Sequence, residues 1–350
     1  MSTTTRRSEW LTRLRRSGWL MDPLAIPGLV FVLALIAVGA ASSPAFLGSF
    51  NVANVLIQVT PLILIALGQA LVIGSGGFDL SVGSVISVSA VVAATLFEPL
   101  GVLPGLVVAL LAGLAVGLVN GLLVAAGLEP FLVTLATLSA VQGIALIIRP
   151  TPGGVVPQWY TEIAGYVGTV PIALPAVLLI SLIVRELLRS TRTGANLVAI
   201  GGSQDVARLL GVNVRWTLVK TYLTSAALAA LAGLFLVART RTGDPTIGAR
   251  FALDSIAAVI VGGTLLTGGR ITVLGTLIGT LALGLIPNVM NLAHVSTFFQ
   301  TATKGLVLVA AILLPNVVSR MLARRRRRSE VQGTTDPLHG LATSSPARQP

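Results

Sequence analysis

Runs of apolar residues, each about twenty long and separated by short polar stretches, recur along the chain. About 20 mostly apolar residues are what a helix needs to cross a bilayer's hydrocarbon core. Ten segments meet or approach that length: 23–42, 52–73, 80–98, 101–126, 130–149, 170–188, 217–238, 253–268, 271–290 and 297–319. The third and eighth are short and rich in small residues, so a broken or partly re-entrant course is expected there. The pattern predicts an all-α polytopic membrane protein of about ten transmembrane helices.

Composition agrees. Hydrophobic residues make up 54% of the chain and charged residues 10%, with a mean hydropathy of +0.91. A soluble domain carries about 25% charged residues. Cysteine is absent, which excludes disulfides and thiolate metal sites. His294 and His339 are far apart in sequence, and no metal site is expected from them.

The net charge of +12 is concentrated. Arg6, Arg7, Arg13, Arg15 and Arg16 crowd one end, and Arg324 to Arg328 form an unbroken run after the last apolar segment. Basic runs can bind nucleic acid. Both of these flank membrane spans, so cytoplasmic anchoring to anionic lipid headgroups is the expected role, with no nucleic-acid partner. With the N-terminus inside, only Arg149, Arg239, Arg241, Arg250 and Lys304 fall outside; every other basic residue stays inside. Dropping one span would expel either the basic loop at 185–220 or the C-terminal arginines. The positive-inside rule thus supports ten spans with both termini cytoplasmic. The arginine-rich start leads into a long apolar run without a clear cleavage site, so that run is read as a span rather than a removed signal. The expected organisation is a basic cytoplasmic segment 1–22, a transmembrane domain 23–320 with a cytoplasmic loop at 190–215, and a polar, basic, disordered tail 321–350.

Gly113, Gly117 and Gly121 lie four residues apart on the fourth span, and Gly275 and Gly279 repeat the spacing on the ninth. Small residues so placed let helix backbones approach closely in lipid. Phe78-Asp79-Leu80-Ser81 opens the third span and Ala252-Leu253-Asp254-Ser255 opens the eighth. The echo would make spans 2–5 and 7–10 an inverted repeat, a common transporter plan. Chance similarity over four residues is the alternative.

One stretch breaks the apolar pattern sharply: Gly76-Gly77-Phe78-Asp79-Leu80-Ser81-Val82-Gly83-Ser84. Irregular polar backbone at membrane depth survives only against protein or a water-filled cavity. Asp79 and Asp254 are candidates for the solute pathway, because buried carboxylates in membranes are costly. Helix capping is the competing and favoured role for both. Among neutral polar residues, Gln58 and Gln69 are eleven positions apart, which returns them to nearly one helix face. Ser81, Asn120, Thr134, Thr137, Gln142, Asn288 and Asn291 complete the set. Interhelical hydrogen bonding explains any one of them; together they suit a path for a hydroxyl-rich neutral solute.

Absences narrow the chemistry. No span has an ionisable residue near its centre, which disfavours a proton- or sodium-driven carrier. No G-x-x-x-x-G-K-[ST] loop is present, and the two lysines are Lys220 and Lys304. No cofactor is expected on this chain. If transport is ATP-driven, ATP sits on another polypeptide.

The loop between spans six and seven carries a second signal. Ser203 is a good N-cap, Asp205 follows in the first turn, and Gly211 is a good stop. The short helix between them has Val206, Leu209 and Leu210 on one face and needs a partner surface to be stable. That surface is either its own bundle or a docking protein.

These segments resemble the ribose-type permease family of bacterial ABC importers. The likeness runs from about Asn51 to Ala311. It includes Ala66-Leu67-Gly68-Gln69, Asp79-Leu80-Ser81-Val82-Gly83-Ser84, Pro130-Phe131-Leu132-Val133-Thr134-Leu135, Ala199-Ile200-Gly201-Gly202, Ala207-Arg208-Leu209-Leu210-Gly211-Val212-Asn213-Val214, Leu253-Asp254-Ser255-Ile256-Ala257-Ala258-Val259 and Gly262-Gly263-Thr264. The resemblance implies a permease subunit in the bacterial inner membrane, forming the pathway for a monosaccharide such as ribose, xylose or galactose, or a similar solute. It implies a second permease chain and a periplasmic or lipid-anchored solute-binding protein. It also implies a cytoplasmic ATPase gripping Gly201, Gly202, Ser203, Asp205, Ala207, Arg208, Leu210 and Gly211. Ser203 stands where relatives often carry Asn, and Ala195-Asn196 replaces a more basic and aromatic pair. The alternatives are an ABC permease for branched-chain amino acids or nucleosides, a self-sufficient secondary carrier, and an exporter.

Overall fold

The computed structural model describes residues 25–309 except 297, 301, 304 and 308. The basic segment 1–22, the tail 321–350 and much of the predicted tenth span lie outside the described residues. Contacts divide the chain into Met1–Lys304 and Gly305–Pro350. Of the second unit only 305–307 and 309 are described, and they are helical.

In the first unit the helices are α1 (Ile26–Ser42), α2 (Ser49–Gly74), α3 (Val82–Leu100), α4 (Val102–Ala125) and α5 (Pro130–Ile148). A short α6 (Gln158–Thr161) and a tiny hairpin, β1 (Tyr166–Val167) with β2 (Val170–Pro171), precede α7 (Leu174–Ser190). Then come α8 (Arg192–Gly202), α9 (Gln204–Leu209), α10 (Val214–Thr240), α11 (Phe251–Val261) and α12 (Val273–Leu292). The protein is a helical, polytopic membrane chain. Among the described residues six helices are long and apolar enough to cross a membrane: α2, α3, α4, α5, α10 and α12. Of the other predicted spans, α1 and α7 have 17 residues each and α11 has 11. Eleven residues at 1.5 Å each rise only about 16 Å, half the hydrocarbon thickness. The eighth span is therefore short, as its small residues foretold. The third is not broken: α3 runs 19 residues without interruption.

Three helices form the centre. The apolar stretches of α2, α3 and α10 are 89%, 72% and 78% buried, against 28% for α4 and 22% for α5. Helix α4 approaches α10 through its glycine ridge. Cβ atoms built on Gly113, Gly117 and Gly121 would meet Ala230, Ala226 and Val219 respectively at 2.5–2.8 Å. The falling partner numbers make the pair antiparallel. Gly275 and Gly279 similarly bring α12 onto the backbone of Gly262 and Ala258. Both glycine sets are thus points of backbone contact.

The bundle has two ends. At one, Val72, Val124, Val133, Ile200, Ala207, Val214, Leu218 and Tyr222 cluster, which gathers the end of α2, the end of α4, the start of α5, α8–α9 and the start of α10. At the other, Ala94, Phe97, Ala145, Tyr160, Val237 and Ala238 cluster. There Tyr160 packs edge-on against Phe97 with ring centroids 5.1 Å apart, and its hydroxyl donates to the Leu234 carbonyl at 3.0 Å.

Two irregular segments enter the bundle from these opposite ends. Residues 75–81 turn inward after α2 and lead into α3. Residues 241–250 turn inward after α10 and lead into α11. The second can be followed by depth. Gly243 exchanges both backbone hydrogen bonds with Gly153, at 2.8 and 3.1 Å, and lies beside Ala94. Gly248 donates to Ser87 Oγ at 3.1 Å and lies against Gly83. Gly243 also meets Ala90, and the step from Ala90 to Gly83, like that from Ala94 to Ser87, is seven helical residues, so the segment descends about 10 Å. The first turns of α3 and α11 meet there. A Cβ on Gly248 would overlap the Gly83 carbonyl, and one on Gly83 would sit 2.9 Å from the Gly248 carbonyl.

Candidate functional site

The polar residues of the sequence reading sort into three places. The first is a buried knot around Asp79. One carboxylate oxygen accepts from the Ser81 amide at 3.1 Å and the Ser81 hydroxyl at 2.6 Å. The other accepts from the Ser225 hydroxyl of α10 at 2.9 Å. Asn120 of α4 donates its amide to Ser81 Oγ at 2.8 Å. Tyr222 and Thr134 both donate to the Phe78 carbonyl, at 3.1 and 3.4 Å. Segment 75–81 is therefore tied to α4, α5 and α10 at once. No basic side chain among the described residues pairs with Asp79.

Asp79 is 2% exposed in the single chain. It does not cap α3 in the expected way. The N-cap position is Ser81, which makes no side-chain cap bond, and Asp79 bonds the Ser81 amide just ahead of the first turn. The reason is local: the carboxylate, two residues before the cap, reaches the next amide but one and then turns to side chains. Asp254 does not occupy the cap position either; it stands half-buried in the first turn of α11. Gln69 is fully buried on α2, and neither end of its amide has a partner among the described residues. Gln58 is half-buried and donates to Asn54 at 3.2 Å, so the two glutamines do not form one site. Asn288 exchanges two hydrogen bonds with Asn51, at 2.8 and 3.1 Å, and pins α12 to the start of α2. Gln300 donates to Asn291 at 2.6 Å.

The second place is an open polar face beside segment 241–250. Gln142 of α5 donates to the Pro245 carbonyl at 2.7 Å. Ser139 one turn earlier is exposed, and Gly143 has open space where a Cβ would point. Thr246, Ala249 and Arg250 are exposed along the same segment, and the Arg250 guanidinium lies 5.4 Å from the Phe251 ring centroid. Arg250 and Thr246 were not singled out in the sequence, where they read as an outside loop. The signal was present in Gly243, Pro245 and Gly248, whose spacing fits a segment pressed against a helix. Ser225 and Tyr222 were also missed, because a serine and a tyrosine within a long apolar span read as ordinary lining.

The third place is the α8–α9 hairpin. Thr191 caps α8 by accepting from Gly194 N, and Ser203 caps α9 by accepting from Val206 N at 3.4 Å. Asp205 lies in the first turn and pairs with Arg208 at 2.9 Å, both exposed. Gly211 ends the motif at φ +78°, a conformation that favours glycine. Ala207 is fully buried and anchors the helix to the bundle. Leu209 and Leu210 are 87% and 74% exposed, and Val206 is exposed beside them. The short helix thus uses one residue to attach and presents its large apolar side chains outward.

The family model for the permease component of branched-chain amino acid transport systems matches residues 51–314. The ribose import permease protein of Bacillus subtilis is 38% identical over 293 residues, covering 81% of this chain and 90% of that protein. The ribose import permease protein of Escherichia coli is 36% identical over 85% of this chain and 95% of its own length. The D-allose transport system permease protein of Escherichia coli is 32% identical, covering 84% and 92%. No solved structure matches the chain significantly. The chain belongs to this family of transport-system permeases.

Proposed function

We propose that this chain is the membrane-spanning permease subunit of an ATP-driven importer for a monosaccharide or a similar small polar solute. The observation that carries the reading is the likeness to ribose and allose permeases over more than four-fifths of the chain. The L-arabinose permease protein of Azospirillum brasilense, 34% identical over 85% of the chain, adds a third sugar. The family description names branched-chain amino acids, and that is the second reading. The individual relatives favour sugars, and the open face with Ser139, Gln142, Thr246 and Arg250 offers hydroxyl, amide and guanidinium groups that suit a hydroxyl-rich cargo.

In this reading a cytoplasmic ATPase grips α9 through Val206, Leu209 and Leu210. A second permease chain completes the pathway. An extracytoplasmic binding protein delivers solute to the opposite end. The basic residues Arg185, Arg189, Arg192, Arg208, Arg215 and Lys220 surround the α8–α9 hairpin in sequence, which favours a cytoplasmic hairpin and both termini inside. Segments 75–81 and 241–250, entering from opposite ends and leading into α3 and α11, support an inverted repeat whose halves meet at Gly83 and Gly248. The half-length helix α11 and the open face beside it are then the place where solute crosses mid-membrane.

Uptake tests the solute class. Cells lacking the chain, and the same cells with it restored, would be given labelled ribose, allose, arabinose and leucine. Restored uptake of one sugar is expected. Restored uptake of leucine alone would favour the amino-acid reading.

A further inference from the structure

Gly201 is where the α8–α9 hairpin presses on the bundle. A Cβ built there would overlap the Gly74 carbonyl oxygen and the Gly269 amide nitrogen. A Cβ on Gly268 would lie 2.8 Å from the Gly201 carbonyl and 2.9 Å from the Gly76 nitrogen. The Gly269 amide donates to the Gly74 carbonyl at 2.9 Å. Three segments therefore meet backbone against backbone: the end of α2, the end of α8, and the turn that follows α11. Gly76, Gly268 and Gly269 have φ of +84°, +80° and +76°, so the turns themselves call for glycine. Gly202, one residue on, has nothing within 4 Å of its Cβ position.

The two bundle segments at this junction are special. Gly74 and Gly76 lead into 75–81, which holds Asp79 and opens α3. Gly268 and Gly269 close the turn leaving α11. The first turn of α3 in turn meets the approach to α11 at Gly83 and Gly248, with Ala252 of α11 3.6 Å from the Gly83 Cβ position. Side chains between two elements can absorb a small displacement by changing rotamer, whereas close-packed backbone passes it on. We infer that Gly201, with Gly74 and Gly269, are positioning residues that carry movement of the α9 helix directly into the two segments that frame α3 and α11. This rests on the reading of α9 as the ATPase-docking element; it adds where the movement goes.

The test uses the tagged full chain in its native membrane with Gly201→Ala, and with Gly202→Ala as the neighbouring change on the open, docking side. Three quantities are read: ATPase recovered per permease after mild-detergent purification, ATP hydrolysis by that assembly, and sugar uptake by the cells. Gly201→Ala is expected to keep the ATPase and its hydrolysis while uptake falls by roughly tenfold or more, the usual size of a coupling effect. In Gly202→Ala any fall in uptake is expected to follow a fall in recovered ATPase. Wild-type uptake by Gly201→Ala at equal chain level would overturn the inference, as would a loss of uptake in Gly202→Ala with the ATPase fully retained. If Gly201→Ala does not accumulate, hydrogen exchange of the wild-type assembly decides. Nucleotide binding should change the protection of the Gly269 amide, and unchanged protection would overturn the inference. A wild-type chain that purifies without any ATPase would instead remove the underlying reading, and the inference with it.

Discussion

Replacing Asp79 separates a structural role from a transport role. In Asp79→Ala three buried donors lose their acceptor: the Ser81 amide, the Ser81 hydroxyl and the Ser225 hydroxyl. Ser225 can turn to the carbonyl four residues back, as serines on helices do. Two donors then remain stranded, at about 1–2 kcal/mol each. The expected loss is about 3 kcal/mol, which for a large domain lowers the melting temperature by roughly 6–12 °C. Asp79→Asn is different. Its carbonyl oxygen can keep the Ser81 pair, and its amide can donate to Ser225, so the loss should stay within about 1 kcal/mol. The assay is melting of the purified chain in mild detergent, followed by size-exclusion fluorescence, alongside sugar uptake. The account expects a low melt for Ala and near-normal melt and uptake for Asn. An Ala variant that melts with wild type would refute the knot. An Asn variant that melts normally but carries no sugar would show that the charge itself serves transport.

Further predictions concern packing and docking. Gly117→Leu should abolish monodisperse expression, because a side chain there meets Ala226 and the Tyr222 carbonyl, whereas Gly143→Ala, facing open space, should leave expression unchanged. Asn288→Ala strands part of Asn51 and should cost about 1–2 kcal/mol; adding Asn51→Ala should restore part of that, read as a non-additive pair of melts. Arg208→Glu should leave the melt unchanged, since its partner Asp205 is exposed, yet lower the ATPase recovered with the chain; full recovery would remove Arg208 from the docking surface.

Much of this fold was legible because membrane physics writes it locally. Apolar run length located nine of the helices, and serine and glycine punctuation located α9 with its cap and stop. The glycine ridge on α4 was readable as close packing, though not that its partner is α10. What stayed hidden depends on three-dimensional register. The segment 241–250 reads as an outside loop, because a run of turns packed along α3 has no periodicity of its own. The short α11 betrayed itself only by small residues. Asp79 looked like a cap because its distant partner, Ser225, lies 146 residues away, and nothing in the sequence announces that pairing. Gln58 and Gln69 share a helix face by arithmetic, yet one meets Asn54 and the other is sealed inside the core.

The central claim is tested most directly by reconstitution. The tagged chain would be purified with its co-purifying proteins and placed in liposomes, and labelled sugar uptake measured with and without ATP, and again with the chain alone. ATP-dependent uptake by the assembly, and none by the chain alone, is the predicted result. Uptake by the chain alone without ATP would contradict the account and make this protein a self-sufficient carrier.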